Sequence, residues 1–352
     1  FRQQSEALPV AASVYAINHP DFRAAGADGF LFLGNTTPRA RRTIKTFGEM
    51  AEEAAGVKRV GVLRMDVDDL GRVMIGGLER RTMALTSALS GTLELFFGGW
   101  LNTICEKVQQ SSEILPKDLK ARRELGGRDL LYIIYSGGDD LFIVGTWDRL
   151  PLLAERVHND FAAFTGHNPH LHISAGVTLE RRKFPLYRAA EQALDALDDG
   201  AKAYVRPDGG RKDAITFLDQ TVAWDDFAPP EEGRFGIKEG TRSLVDLVDR
   251  GVPRSLLQMV QSIYGQYLRD FERNRARRPS CEPPDEQLYY GRWMWMQAYQ
   301  IQRLTEREKD KGVKKDIKQL QADLMCRERV CYSGLAARWA EYLTRKERQD
   351  GE

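Results

Sequence analysis

Two apolar runs joined by a short glycine-rich link constrain the fold of this chain more than any other feature. Residues 133–145 read IIYSGGDDLFIVG, with Gly137 and Gly138 directly before Asp139 and Asp140. A link this short predicts a β-hairpin, because glycine permits the positive φ angles that tight turns need. Two interpretations are open from this stretch alone: an ordinary acidic hairpin turn, or a turn that holds a metal ion.

The segments around the hairpin predict a split βαβ sheet. VKRVGVLRMDV has the apolar pattern of a buried strand, and TMALTSALSGTLELFFGGWLNTICEKVQQ has apolar residues at helical spacing. After the hairpin follow a helix, the strand LHISAGVTLE, a helix that starts at a proline, and the strand KDAITFL. This order is typical of a ferredoxin-like sheet with one added unit, so we predict an α+β fold.

Shifts in composition divide the chain into three parts. Residues 1–50 carry only short strand-like runs, and we interpret them as the remnant of a preceding or linker domain. Residues 51–225 hold the predicted sheet, and proline, glycine and charge cluster just after it in FAPPEEGRFG. From residue 240 to 352 apolar residues recur at helical spacing only, which predicts an all-α C-terminal domain.

Overall composition excludes several classes of protein. The 52 Lys and Arg residues balance 51 Asp and Glu residues, so any nucleic-acid surface must be local. The four cysteines have no paired CxxC spacing, which excludes a zinc ribbon and suits a reducing compartment. No apolar stretch reaches the length of a membrane span and no signal peptide is visible, so we predict a cytoplasmic protein without a membrane partner. Because the chain starts at Phe1 rather than Met, we expect a fragment, a processed chain or a missing N-terminal part.

A further acidic residue, at the end of an earlier strand, favours the interpretation of the hairpin as a metal-binding turn. Asp66 ends an apolar strand, and in a ferredoxin-like sheet that strand lies beside the hairpin. Asp66 is therefore expected near Asp139 and Asp140, where three carboxylates would repel one another without a cation. Their hard oxygen atoms suit Mg²⁺ or Mn²⁺, and two such ions can bind a nucleotide triphosphate and stabilise the leaving oxygen. The sequence thus predicts a divalent-metal site where these strand ends meet.

Five segments in a fixed order resemble a known family. They are GVLRMDVDDLG, YIIYSGGDDLFIVGTW, NPHLHISAGVTL, KFPLYRAAEQAL and KDAITFL, and they span about residues 45–220. Together they are similar to the second palm domain of the large subunit of type III CRISPR effector complexes, a palm of the nucleotide cyclase and polymerase type. The helical tail resembles the C-terminal domain of the same subunit, with weaker motifs. The serine before GGDD and the LFIVG after it distinguish this family from diguanylate cyclases.

The resemblance implies an antiviral nucleotidyltransferase that uses Mg²⁺ or Mn²⁺ to join ATP into cyclic oligoadenylate when target RNA binds. The 3′-hydroxyl of one ATP attacks the α-phosphate of another, and pyrophosphate leaves. The implied partners are guide RNA, target RNA and other effector subunits, including the small helical subunit and the subunit that caps the crRNA 5′ end. The family completes its ATP pocket with a first palm domain, and we find a single palm in these 352 residues.

The resemblance also implies roles for individual residues. Asp66, Asp139 and Asp140 would be catalytic and hold the metal, with the backbone carbonyl of Val67 as a further ligand. The implied nucleotide-binding groups are Ser136 at the adenine edge, Gly137 and Gly138 at the hairpin, the amides near Asp69 and Leu70 at a helix start, and a lysine at the triphosphate, either Lys202 or Lys212.

Two alternatives to this function stay open. In the first alternative, the palm is a catalytically silent scaffold and the helical tail assembles the complex. In the second, the chain is a stand-alone diguanylate-type cyclase that uses GTP. There is no GxxxxGK[ST] motif and no GxGxxG after a strand, so the sequence supports neither a P-loop nor a dinucleotide-binding fold.

Four histidines lie close together in sequence, at positions 158, 167, 170 and 172. A zinc site would need further ligands that converge with them, and the family pattern explains this segment without a metal. We interpret these side chains as packing or solvent-facing groups.

Overall fold

The computed structural model describes residues 13–19, 26–40, 43–77, 82–117, 129–206, 209–229, 236–277 and 291–345. Two small sheets come first in the chain. They pair β1 (Tyr15–Ile17) with β2 (Gly29–Leu31) and β3 (Arg39–Ala40) with β4 (Thr43–Ile44).

A six-stranded sheet forms the centre of the fold. Its strands are β5 (Val60–Val67), β6 (Leu131–Gly137), β7 (Asp140–Thr146), β8 (Ile173–Glu180), β9 (Ala214–Phe217) and β10 (Gln220–Ala223). Their order is β10-β9-β8-β5-β7-β6, and β5 is antiparallel to both β7 and β8. The predicted ferredoxin-like arrangement of β5 to β8 is confirmed. β9 is the added unit, and it pairs with β10, a strand that the sequence did not predict.

Seven described α-helices accompany the strands of this sheet along the chain. They are α1 (Phe47–Glu53), α2 (Leu70–Gly76), α3 (Met83–Glu94), α4 (Leu101–Gln110), α5 (Leu150–Phe164), α6 (Leu186–Asp195) and α7 (Trp224–Phe227). The π-helical segment Leu95–Trp100 joins α3 to α4, and the π-helical segment Ala196–Ala201 continues α6. The predicted long helix before the hairpin is thus confirmed, with a π-helical middle.

Alternation along the strands divides the apolar side chains between the two faces. On one face Val62 and Val144 pack with Ala189 and Ala193 of α6. On the other face Leu63, Met65 and Ile143 join a larger core. That core includes Phe161 of α5 and two phenylalanines of the first π-helical segment, Phe96 and Phe97. The acidic ends of β5 and β7 therefore lie between two packed layers, which fixes their backbone.

Every element that the structure describes after residue 236 is a helix. These helices are α8 (Ile237–Asp249), α9 (Ser255–Arg277), α10 (Arg292–Arg307), α11 (Lys311–Met325) and α12 (Arg327–Thr344). This confirms the predicted all-α C-terminal region. None of the described helices is long and apolar enough to cross a membrane.

The last helix joins the helical region to the sheet. Trp339 of α12 stacks on Phe227 at 5.5 Å between ring centroids and meets the edge of Phe217 at 5.1 Å. The Val57 N–H donates to the Tyr342 carbonyl at 3.0 Å. Residues on both sides of the proposed boundary near 225–240 therefore share one hydrophobic core, and the division into three domains stays a prediction.

Residues near position 35 extend along the outer edge of β6. The Ile133 N–H donates to the Thr36 carbonyl at 3.0 Å. The Asn102 carboxamide oxygen accepts from the Asn35 N–H at 2.9 Å and from the Thr36 N–H at 3.1 Å. This segment thereby covers an edge strand that would otherwise expose unpaired backbone groups.

Gly176 of β8 lies directly against the backbone where α6 continues into the second π-helical segment. A Cβ there would lie 2.5 Å from the Ala193 carbonyl oxygen and 2.6 Å from the Leu197 nitrogen. We expect Gly176→Ala to lower the free energy of unfolding by about 1–3 kcal/mol, the usual cost of overpacking. Gly91→Ala is the matched control, because it meets no described atom within 4 Å and alanine favours a helix by roughly 0.5–1 kcal/mol. Urea unfolding measures both, and wild-type stability of Gly176→Ala would contradict the close packing.

Candidate active site

The pairing of β5 with β7 places Asp66 directly opposite Asp140. Residues that face each other across antiparallel strands project from the same side of the sheet. Asp139 lies in the turn before β7, and its carbonyl accepts a hydrogen bond from the Val67 N–H at 3.0 Å. The structure therefore brings the strand end and the acidic turn to one corner of the sheet.

The two facing carboxylates are partly buried and repel each other. Burial raises the pKa of Asp66 despite the opposing effect of the Lys202 ammonium, and the charge of Asp139 raises it further. Burial and the charge of Asp66 likewise raise the pKa of Asp140. Carboxylates that resist ionisation for these reasons are stabilised by a nearby cation, so the donor set fits a hard divalent metal ion.

The cation that Asp66 meets in this structure is the ammonium of Lys202, at the end of the second π-helical segment. Lys202 also lies 3.4 Å from Asp198. Burial acts to lower the pKa of Lys202, but Asp66 and Asp198 together raise it. No three His, Cys, Asp or Glu side chains of the described residues converge as a metal cluster. A metal ion at this corner would thus compete with Lys202 for the Asp66 carboxylate.

The tip of the hairpin is a two-residue link formed by Gly138 and Asp139, because Gly137 pairs with Asp140 as the last residue of β6. Gly138 has a φ of 66°, whereas Gly137 has no positive φ. Of the two glycines, Gly138 is therefore the one that uses the positive φ that glycine permits. A Cβ at Gly138 would meet no described atom within 4 Å, so the tip leaves room for a ligand beside the acidic residues.

Ser136 does not join this group. It pairs with Leu141, the neighbour of Asp140, and so projects from the opposite side of the sheet. Its hydroxyl is buried directly against Gly34 and has no hydrogen-bond partner among the residues that the structure describes. Contact between Ser136 and an adenine edge stays a prediction.

The second candidate lysine meets the same corner at a different point. Asp69 is the N-cap residue of α2, directly before Leu70, and its carboxylate accepts a hydrogen bond from the Lys212 ammonium at 3.0 Å. That hydrogen bond lowers the pKa of Asp69. The two lysines thus lie at separate carboxylates, Lys202 at Asp66 and Lys212 at Asp69.

A buried polar network behind the corner was missed by the sequence analysis. Asp68, only 3% exposed, accepts hydrogen bonds from the Ser174 hydroxyl at 2.8 Å and from the Asp213 N–H at 3.1 Å. Asp213 in turn lies 3.3 Å from His158 and 3.5 Å from His172. Two of the four histidines therefore face a carboxylate. Asp68 and Asp213 are 145 positions apart in the sequence, so no local signal predicts this contact.

Comparison with known proteins identifies relatives of the part of the chain that contains this corner. Residues 59–216 match the family model described as Cas10/Cmr2, second palm domain. The chain is similar to the CRISPR system single-strand-specific deoxyribonuclease Cas10/Csm1 (subtype III-A) of Methanocaldococcus jannaschii, with 32% identity over 205 residues. That match covers 56% of this chain and 25% of the relative, so the chain spans about a quarter of the length of that curated protein.

Solved structures with the same fold include complexes of Csm1 with Csm4. The Csm1–Csm4 cassette in complex with pppApA has a TM-score of 0.61 and 20% identity, over 94% of this chain and 43% of that chain. The cassette in complex with cA4 has a TM-score of 0.60 and 19% identity, over the same shares. At this level of identity the likeness establishes the shared fold of the sheet and the helical region.

Proposed function

Residues 59–216 of this chain belong to the Cas10/Cmr2 second-palm family, and from this premise we propose that the chain joins ATP into cyclic oligoadenylate within a type III CRISPR effector subunit. The observation that carries the proposal is the register that sets Asp66 opposite Asp140 beside the glycine hairpin. Two facing carboxylates whose pKa values are both raised by burial and by neighbouring carboxylate charges are typical of a site that works with a bound cation.

The ligands of related structures support adenylates as substrate and product. The similar Csm1–Csm4 cassettes were solved in complex with pppApA and with cA4. In the proposed reaction the 3′-oxygen of one ATP forms a bond to the α-phosphorus of another, and the bond from that phosphorus to pyrophosphate breaks. A reaction of this type depends on positioning and on charge stabilisation more than on covalent chemistry by the protein.

Different residues of this corner would bind the metal ion and the nucleotide. Asp66, Asp139 and Asp140, with the Val67 carbonyl, would hold Mg²⁺ or Mn²⁺, which when bound neutralises phosphate charge and activates the attacking hydroxyl. The open tip at Gly138 lets the nucleotide approach the backbone.

Two lysines and one turn supply countercharge and hydrogen bonds. The ammonium groups of Lys202 and Lys212 lie at the same corner and would neutralise the polyphosphate. The amides near Asp69 and Leu70 would donate to phosphate oxygens. The Asp66 carboxylate becomes available as a ligand when Lys202 turns from it toward phosphate.

The proposal extends to partners and location. We assign guide RNA, target RNA and the other effector subunits as partners, including the small helical subunit and the subunit that caps the crRNA 5′ end, and we assign a cytoplasmic location. The similar structures contain Csm4 beside Csm1, which supports partner subunits. A first palm domain from outside residues 59–216 would complete the ATP pocket.

The test is to identify the product. The full subunit that contains this chain, assembled with its partner subunits and guide RNA, is incubated with Mg²⁺ or Mn²⁺ and either ATP or GTP, with and without target RNA. Mass spectrometry is expected to detect cyclic adenylates only with ATP and target RNA. No product from the intact complex would instead identify a structural scaffold. A cyclic product from GTP without RNA would identify a diguanylate-type cyclase.

A further inference from the structure

The backbone that carries Lys212 is strained. Lys212 has a φ of 65° and Asp213 a φ of 53°, so two consecutive residues with side chains lie in the left-handed region. Such a conformation persists only where surrounding contacts hold it, and it is concentrated at functional sites. The contacts that hold residues 212 and 213 in this conformation therefore indicate which group the conformation positions.

Two backbone hydrogen bonds hold the loop in place. The Asp213 N–H donates to the Asp68 carboxylate at 3.1 Å, and the Lys212 N–H donates to the Tyr204 carbonyl at 2.9 Å. Asp68 is itself fixed, because it is buried and also accepts from the Ser174 hydroxyl. The loop is thus attached to the turn that follows β5, two residues beyond Asp66.

The Asp213 side chain adds a third attachment. Its carboxylate lies 2.8 Å from Arg206, 3.3 Å from His158 and 3.5 Å from His172. Burial acts to raise the pKa of Asp213, but His158, His172 and Arg206 outweigh it and lower that pKa. Asp213 is therefore charged at neutral pH, and it connects the loop to α5 and to the start of β8.

The result of these attachments is the position of one ammonium group. Lys212 reaches the Asp69 carboxylate at 3.0 Å, at the turn between β5 and α2. We propose that Asp213 is a positioning residue, which holds the Lys212–Asp213 backbone against Asp68 and so directs the Lys212 ammonium to the polyphosphate of the bound nucleotide. The identity of that nucleotide rests on the proposed function.

The test compares ATP with adenosine. Their affinities are measured by calorimetry for the full subunit, with Mg²⁺ present, in the wild type, Asp213→Asn, Lys212→Met and the double variant. Asp213→Asn is expected to weaken ATP binding about tenfold, the usual effect of one lost charge-assisted contact, and to leave adenosine binding unchanged. Added to Lys212→Met it should cause no further loss, because both changes remove the same contact.

Asp219→Asn is the matched control, since Asp219 also has a left-handed φ, of 61°, but lies exposed in the turn between β9 and β10. It should bind ATP as the wild type does. Equal losses for ATP and adenosine, or full additivity with Lys212→Met, would overturn the proposal in favour of a merely structural Asp213. Unchanged ATP affinity in Asp213→Asn would also overturn it.

Amide hydrogen exchange tests the restraint without any nucleotide. In Asp213→Asn the amides of residues 212 and 213 are expected to exchange at least about tenfold faster than in the wild type, because the loop loses its charged attachment. If the wild type binds no ATP, the proposed function fails. Amide hydrogen exchange then tests by itself whether Asp213 restrains the Lys212–Asp213 backbone. Unchanged exchange at both amides would contradict this restraint.

Discussion

In the assembled complex, Asp139→Asn together with Asp140→Asn is expected to reduce the rate of cyclic adenylate formation by about 100-fold or more. The two substitutions keep the shape of the hairpin but remove the charge that would hold a divalent cation against the polyphosphate. Removal of one preorganised electrostatic group from an active site typically costs about 10²–10³ in rate. Initial rates by mass spectrometry measure the effect, and Asp225→Asn, an exposed carboxylate of α7, is the control that keeps wild-type activity.

The same double variant is expected to be at least as stable as the wild type at neutral pH. The pKa of Asp140 is raised in the folded chain from its ordinary value of 3.8, so the folded state binds this proton more readily than the unfolded state. Wild-type stability therefore falls as pH rises from about 3.8 through the raised pKa, and asparagine removes that loss. Urea unfolding should show a larger advantage of the variant at pH 7 than at pH 4. Lower stability at pH 7 would mean that lost activity reflects unfolding.

Lys202→Met is expected to lower the free energy of unfolding by about 2 kcal/mol at neutral pH. It leaves the partly buried Asp66 carboxylate without the ammonium that now neutralises it, and loss of a charged hydrogen-bond partner costs about 1.5–3 kcal/mol. Mg²⁺ should restore more stability to this variant than it adds to the wild type, because the metal no longer competes with an ammonium. Thermal unfolding with and without Mg²⁺ measures both effects.

Lys212→Met is the matched control for this substitution. Its partner Asp69 is more exposed, with 44% of the side chain accessible, so the ion pair contributes less than about 1 kcal/mol. The additional stabilisation of Lys202→Met by Mg²⁺ should also vanish when Lys202→Met is combined with Asp139→Asn and Asp140→Asn. A Mg²⁺ effect that persists in that combination would place the metal elsewhere.

The arrangement of the sheet was predictable because local signals agree with one another. The apolar run of β5, the glycine link of the hairpin and the proline at the start of α6 each mark one element, and their order permits few topologies. The approach of Asp66 to Asp140 follows from that order and is predicted by the sequence alone. β10 escaped prediction because its four residues, QTVA, are too short and too mixed in polarity to show a period.

The side on which Ser136 projects was not predictable. The pairing of β6 with β7 shifts between Ile133 and Tyr135, and the extra residue reverses the alternation that follows. Without that irregularity Ser136 would lie opposite Asp140 and share its face. An irregular residue of this kind has no sequence signature here, since it depends on how the edge strand packs.

The buried contacts around Asp213 also lay beyond sequence analysis. Asp213, His158 and His172 lie in three segments of the chain that only the tertiary fold brings together. Family resemblance named Lys202 and Lys212 without separating them, and the structure assigns them different carboxylates. These distinctions arise from side-chain packing, for which hydrophobic periodicity carries no information.

The most direct test of the metal site is to locate manganese in crystals of the full subunit with ATP and Mn²⁺, by anomalous scattering at the manganese absorption edge. The expected result is a peak in bonding contact with the Asp66 and Asp140 carboxylates, with the Lys202 ammonium moved from Asp66 to a phosphate oxygen. A manganese peak at other side chains, or bound ATP with Lys202 still paired to Asp66 and no peak at this corner, would contradict it.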